Sequence, residues 1–148
     1  MRSSVCVDAS VFVKVLVQEV FSDLARHQWE TWVIVEGRRV IVPALFHYEV
    51  VAVLRKKVYR GQLALSEGAV AVDMLLDADL GVVTAPELHH RAWELAHRFD
   101  RPTAYDAHYL ALAEMERCEF WTADEQLYDS VKDQFPLIRC LGQPKEPV

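Results

Sequence analysis

Continuous apolar runs alternate with longer segments of helical periodicity along the chain. Short runs rich in valine and isoleucine, bounded by polar or turn-forming residues, are typical of strands that are buried on both faces of a sheet. Five segments have this character, and the sequence therefore predicts five strands: SSVCVD, RRVIVPA, GVVTA, EFWTAD and LIRCL.

Most of the segments between these runs repeat apolar residues every three or four positions, which is the spacing of one helix face. After the first strand, Ser10 is placed to cap the segment that follows. Pro43 is placed to be the first residue of a long helix, and Gly61 to end it. We expect helices at 22–36, 43–60, 66–79, 86–99, 103–117 and 125–134.

The order of these elements predicts an α/β fold. Because strands alternate with helices and hairpin turns are missing between the strands, we expect right-handed crossovers and a mainly parallel sheet with helices on both faces. The length of 148 residues fits a single domain over residues 1–148, with 143–148 as a loose tail. In such a sheet the ligand site forms outside the carboxyl ends of the strands.

Composition and charge exclude several classes of protein. A net charge of −6 argues against nucleic-acid binding through a basic surface all over the protein, although it is compatible with a local basic patch. Three cysteines without a C-x-x-C pair favour reduced thiols over a disulfide framework or a thiolate zinc site. No stretch approaches the roughly 18 uncharged residues of a membrane span, so we expect a cytoplasmic protein that does not associate with membranes.

Asp106, in the segment RPTAYDAHYLALAE, has two interpretations. Thr103 and Asp106 have the spacing of a capping box, in which two side chains satisfy free backbone N–H groups at the start of a helix. Asp106 would then have a purely structural role. The alternative is a role in an acidic site, and other carboxylates decide between the two.

Three further carboxylates lie at strand ends or near the start of a helix. Asp8 and Asp124 end the first and fourth strand segments, and Glu49 has only apolar neighbours three and four residues away, so that it either extends to the edge of an apolar patch or enters a site. A parallel sheet brings such positions together at one edge. Clustered carboxylates repel each other unless a cation neutralises them, and oxygen ligands favour Mg²⁺ or Mn²⁺. The sequence thus predicts a metal site formed by Asp8, Glu49, Asp106 and Asp124.

Four ordered blocks of the sequence resemble the PIN-domain nucleases, and most closely the VapC-type toxins of prokaryotic toxin–antitoxin modules. The resemblance extends from the first strand to the last helix. Its blocks are VCVDAS, PALFHYEVVAVLRKK, AYDAHYLALAE and FWTADEQL.

This resemblance implies a PIN-like three-layer α/β/α sandwich and a metal-dependent endoribonuclease for single-stranded RNA. It also implies a cognate antitoxin and a homodimer. In that family four acids hold Mg²⁺ or Mn²⁺, with Asp8 or Asp106 here as the general base. Ser10 and Thr122 match positions whose hydroxyl groups line the site. The residues matching the four acids are Asp8, Glu49, Asp106 and Asp124.

A basic cluster lies at the end of the helix that carries Glu49. Cations there complement the negative end of the helix dipole, which is a sufficient structural reason for them. The alternative is contact with the RNA backbone. It assigns RNA binding to Arg55, Lys56, Lys57 and Arg60.

Two classes of function are compatible with these features. The first is a metal-dependent ribonuclease, acting either as the toxin of a toxin–antitoxin module or as a housekeeping RNA-processing enzyme. The second is a PIN-fold module that binds RNA or protein without cleaving it. The intact set of four acids favours the enzyme.

Overall fold

A five-stranded sheet forms the centre of the computed structural model, which describes residues 3–143. All neighbouring strands are parallel, and their order is β3-β2-β1-β4-β5. The predicted α/β class and parallel sheet are confirmed. The strands are β1 Ser4–Val7, β2 Arg39–Pro43, β3 Gly81–Val83, β4 Phe120–Thr122 and β5 Ile138–Cys140.

Helices connect successive strands, as the periodicity predicts. A π-helical turn, Thr31–Val35, continues α2, so the segment predicted as one helix at 22–36 contains both. Among the described residues, no helix is both long and apolar enough to cross a membrane. The helices are α1 Ala9–Leu16, α2 Ser22–Glu30, α3 Leu45–Tyr59, α4 Leu65–Asp77, α5 Pro86–Arg98, α6 Tyr105–Glu116 and α7 Glu125–Val131.

Three local predictions differ from the structure. Pro43 ends β2 in register with Val83 and does not begin α3, because a proline at a strand end sacrifices little hydrogen bonding. The Thr103–Asp106 capping box does not form, because α6 begins only at Tyr105 and Ala104 is its N-cap. The N-cap of α1 is Asp8 and not Ser10.

The predicted tail at 143–148 lies mostly outside the described residues, which end at 143. Within the described part, the Gln143 backbone N–H donates to the Cys140 carbonyl at 3.2 Å. The loose tail beyond it stays a prediction.

The chain changes direction across the sheet next to β1. From β1 it proceeds to β2 and β3 on one side, and then returns through α5 and α6 to β4 and β5 on the other. Right-handed crossovers place the helices of these two halves on opposite faces of the sheet. The gap between the carboxyl ends of β1 and β4 is therefore the topological switch point, where open α/β sheets bind their ligands.

Candidate active site

A cavity of about 330 Å³ opens at this switch point. Residues that directly follow β1 and β4 form part of its wall, and α1, the α1–α2 connection, α3 and α6 form the rest. The structure brings five of the six predicted site residues into this wall, and the sixth, Thr122, hydrogen bonds to one of them. The five are Asp8, Ser10, Glu49, Asp106 and Asp124.

Asp8 is held in one orientation at the end of the central strand. As the N-cap of α1, its Oδ1 accepts a hydrogen bond from the Val11 N–H at 3.3 Å and another from the Ser10 hydroxyl. Its Oδ2 accepts a hydrogen bond from the Thr122 hydroxyl at 2.6 Å. Ser10 also accepts a hydrogen bond from the Ala123 N–H at 2.9 Å, which ties α1 to the end of β4.

Burial changes the acid–base properties of Asp8. Only 7% of the residue is exposed, and this burial raises the pKa of its carboxyl group to about 7, against the lowering effect of its three hydrogen-bond donors. The negative charge of Asp106 raises the pKa further. An ionised Asp8 is therefore unfavourable in the protein alone, and either a proton or a cation relieves it.

Asp124 is the N-cap of the short helix α7. Its Oδ1 accepts hydrogen bonds from the N–H groups of Gln126 at 3.0 Å and Leu127 at 3.2 Å. Its own N–H donates to the Thr122 hydroxyl oxygen at 3.0 Å. Thr122, which is fully buried, thus links Asp124 to Asp8.

Glu49 finds a partner that its own helix does not provide. The Tyr109 hydroxyl on α6 donates a hydrogen bond to Glu49 Oε1 at 2.7 Å. Burial raises the pKa of Glu49, the Tyr109 hydrogen bond lowers it, and the charge of Asp106 raises it. Burial and the nearby Glu49 charge raise the pKa of Tyr109 far above its ordinary value, so the phenol keeps its proton and remains a donor.

Asp106 is half-buried in the first turn of α6. Its Oδ2 accepts a hydrogen bond from Arg101 Nη2 at 3.1 Å. This ion pair, and not a helix cap, accounts for its local structure. Asp106 also lines the cavity, which supports its interpretation as a site residue.

Only one of the four basic residues predicted to bind RNA lines the cavity. Lys57 lines the cavity, whereas Arg55, Lys56 and Arg60 are exposed and lie outside its wall. Lys57 lies eight residues after Glu49, with Val53 midway, so all three share one face of α3. An RNA-binding role for the four residues stays a prediction.

Three polar cavity residues were not identified from the sequence: Lys14, Glu19 and Tyr109. Two of them have spacings that could have indicated their position. Lys14 lies four residues after Ser10, and Tyr109 lies three residues after Asp106, so each shares a helix face with a predicted site residue. Glu19 lies in the connection between α1 and α2, where no such periodicity applies.

The acids fit a hard divalent cation by donor type and charge. The cavity wall contains the four predicted carboxylates and a fifth, Glu19, which is paired with lysine, and it contains neither a thiol nor an imidazole. Oxygen ligands of this kind are the ligand chemistry of Mg²⁺ or Mn²⁺. The charge of Asp106 raises the pKa of both Asp8 and Glu49, and a cation would reverse this effect. Within the described residues, no three His, Cys, Asp or Glu side chains are already arranged as a ligand set. Each acid instead accepts a hydrogen bond from the protein.

The sequence is similar to a known protein family and to a protein named as a ribonuclease. Residues 5–132 match the PIN domain family. Ribonuclease VapC9 of Mycobacterium tuberculosis is 31% identical over 104 residues, which cover 70% of this chain and 80% of that protein.

Two solved structures share the fold. The crystal structure of Mycobacterium tuberculosis VapC20, described as a toxin that cleaves the sarcin–ricin loop, superposes with a TM-score of 0.65 at 17% identity, covering 88% of this chain and 95% of that one. A toxin–antitoxin complex from Klebsiella pneumoniae also gives a TM-score of 0.65, at 14% identity, covering 95% of this chain and 99% of that one. The three-layer fold predicted from the sequence is therefore confirmed, and solved structures share it.

Proposed function

The chain belongs to the PIN-domain family, and we propose that it is an endoribonuclease that cleaves single-stranded RNA with Mg²⁺ or Mn²⁺. One observation carries the proposal. Four carboxylates from four separate elements line a single cavity at the switch point of the sheet: Asp8, Glu49, Asp106 and Asp124. The similarity to a protein named as a ribonuclease supports the same activity.

Hydrogen bonds within the site hold the carboxylates in fixed orientations. Ser10 and Thr122 fix Asp8, Thr122 aligns Asp124 with it, and Tyr109 fixes Glu49, so the carboxylates are held before substrate arrives. When bound, a divalent cation supplies a water of lowered pKa and offsets the charge that develops on the scissile phosphate. In-line attack by water needs no covalent intermediate with the protein.

Two structural neighbours support a toxin role for this ribonuclease. The fold matches a structure described as a toxin and another described as a toxin–antitoxin complex. We therefore propose a cognate antitoxin as the protein partner. We propose a homodimer as the assembly on the family resemblance alone.

RNA cleavage by the purified chain tests this function. Freed from any antitoxin and incubated with a broad transcript pool, the protein should cut single-stranded RNA with Mg²⁺ or Mn²⁺, stop when EDTA is added, and cut duplex RNA poorly. Gel or sequencing analysis of the products measures this. RNA binding without cleavage across the whole pool would instead support a PIN-fold binding module.

Replacing Tyr109 with phenylalanine should weaken metal activation without unfolding the protein. The ring stacks on Phe120 with centroids 5.6 Å apart, and phenylalanine retains that contact. Loss of the hydroxyl raises the pKa of Glu49 further and frees the carboxylate to rotate. We expect a several-fold rise in the Mg²⁺ concentration for half-maximal cleavage, and a stability loss of about 1 kcal/mol. Unchanged metal activation would exclude a role for Tyr109 in positioning Glu49.

A further inference from the structure

The cavity wall also contains two cationic side chains, Lys14 on α1 and Lys57 on α3. Both contact the same carboxylate, Glu19, which also lines the cavity. Lys14 Nζ lies 3.2 Å from Glu19 Oε1, and Lys57 Nζ donates a hydrogen bond to Glu19 Oε2. Two ammonium groups therefore lie on either side of one anion, facing the space next to the four acids.

This Lys14–Glu19–Lys57 group is partly withdrawn from solvent. The side chains are 17%, 23% and 21% exposed, respectively. Burial raises the pKa of Glu19, but its contacts with Lys57 and Lys14 outweigh burial and lower the pKa overall, so Glu19 is an anion at neutral pH. An isolated surface ion pair is usually more exposed and contributes little.

The two lysines reduce the repulsion between the acidic cavity and an RNA phosphate group. An RNA phosphodiester is an anion, and four carboxylates repel it from the cavity. Cations that face the same space offset that repulsion, and ammonium groups are common phosphate ligands. The carboxylate now held between them has the single negative charge and the hydrogen-bond-accepting oxygens of a phosphodiester group.

On the basis of the function proposed above, we infer that Lys14 and Lys57 form a phosphate-binding subsite for the RNA strand, and that Glu19 occupies it as an internal anion until RNA displaces its side chain. The backbone is arranged for such an exchange. Lys14 Nζ also donates to the Val20 carbonyl at 2.9 Å, and the Glu19 N–H donates to Ser22 Oγ at 2.8 Å. These bonds hold the ammonium group and the connecting segment in place while the Glu19 side chain moves.

Methionine variants of the two lysines test the subsite. Lys14→Met and Lys57→Met keep the aliphatic length and remove the charge. Each should raise KM for single-stranded RNA about tenfold, since one charge-assisted hydrogen bond contributes about that factor in affinity. The value of kcat should change less than about twofold. The slope of log affinity for RNA against log salt concentration should become shallower by about 0.7 per lost contact.

Lys132→Met is the matched control. Lys132 also forms an ion pair, with Asp129 at 3.5 Å, and it lies outside the cavity wall, eight residues or about 12 Å along α7 from Asp124. Its replacement should leave KM and the salt dependence unchanged. An equal rise in KM in Lys56→Met and Lys57→Met would indicate a general effect of the positive charge at the end of α3. It would overturn the subsite.

Glu19→Gln should have the opposite effect on KM from the lysine variants, and this effect is specific to the inferred role of Glu19 as an internal anion. Removing the internal anion should lower KM several-fold and steepen the salt dependence. In the Lys57→Met background the same replacement should have a smaller effect, because Glu19 then has one less cation to compete for. Thermal melts verify that each variant is folded.

The outcomes separate this inference from the proposed function. If the wild type cleaves RNA but Lys14→Met, Lys57→Met and Glu19→Gln all retain its KM, the subsite is wrong and the ribonuclease stands. If the wild type neither binds nor cleaves RNA, both proposals fall.

Discussion

Replacing Asp8 with asparagine should reduce RNA cleavage at least about a hundredfold while the protein remains folded. Asparagine has the same shape but lacks the charge that the proposed cation site requires. A loss of about 3 kcal/mol of transition-state stabilisation corresponds to a factor of about one hundred. Single-turnover cleavage of one RNA substrate at saturating Mg²⁺ measures the effect on the chemical step.

Asparagine is the informative replacement because two of the four acids also begin helices. Asp8 caps α1 and Asp124 caps α7 through their side-chain oxygens. Asparagine is as good an N-cap as aspartate, whereas alanine would cost about 1 kcal/mol of stability and confuse the two roles. Asp124→Asn should therefore also lose most activity with its fold intact.

Asp129→Asn provides the control on the same helix. Asp129 is exposed, lies five residues after Asp124, and forms an ion pair with Lys132. Its replacement removes an equal charge outside the cavity and should leave cleavage unchanged. Retained cleavage by the Asp8→Asn, Asp124→Asn double variant would falsify the metal-site mechanism.

Much of this site follows from local sequence patterns. The apolar run that forms β1 ends at Val7, so Asp8 necessarily lies at the strand's carboxyl end. The parallel arrangement then places it beside the end of β4, and Trp121 O accepts a hydrogen bond from the Asp8 N–H at 3.2 Å. Periodicity and chain order were sufficient to predict the position of Asp8, because that position depends only on where β1 ends and on which strands are parallel.

The contacts that tune the site depend on tertiary structure. Glu49 and Tyr109 lie 60 residues apart, and Lys57 and Glu19 lie 38 apart, so no helical spacing relates the members of either pair. The pKa of Asp8 likewise results from burial by several elements together. The sequence indicated the acids and, through the family resemblance, the Ser10 and Thr122 hydroxyl groups that hold Asp8. It did not indicate Tyr109, which orients Glu49.

The helix that carries Asp106 was predicted to begin too early, and the difference has a local cause. The Thr-x-x-Asp spacing is compatible with a capping box, but the chain is not yet helical at Thr103. Pro102 favours an extended conformation at Arg101, and the Arg101 side chain pairs with Asp106. A motif of two residues cannot specify where the helix begins, and here the structure starts it two residues later.

The stability of the metal-free protein should decrease between pH 5 and pH 8, and Asp8→Asn should remove that decrease. Burial raises the pKa of Asp8 to about 7, whereas an unfolded aspartate titrates near 3.9. Between these values the folded state binds a proton that the unfolded state has released, so stability falls as pH rises. The slope is about 1.4 kcal/mol per pH unit well below the folded pKa and flattens around pH 7, so the loss from pH 5 to pH 8 is about 3 kcal/mol.

Thermal melts in EDTA measure this effect. For a chain of this size, 3 kcal/mol corresponds to a shift in Tm of roughly 10 °C. Asparagine does not titrate, and all other groups are common to both proteins, so the Tm of Asp8→Asn minus that of the wild type should increase by roughly this amount between pH 5 and pH 8.

Adding Mg²⁺ at pH 8 distinguishes the proposed cation site from burial alone. An ion that binds only the folded state stabilises it by RT ln(1 + [L]/Kd), which is about 2.7 kcal/mol at a hundredfold excess over Kd. The wild type should regain most of the lost Tm, while Asp8→Asn should gain little because it has lost a ligand. A Tm difference that stays constant from pH 5 to pH 8 in EDTA would contradict the elevated pKa of Asp8. Equal stabilisation of both proteins by Mg²⁺ would place the ion elsewhere, because Asp8 would then contribute nothing to its binding.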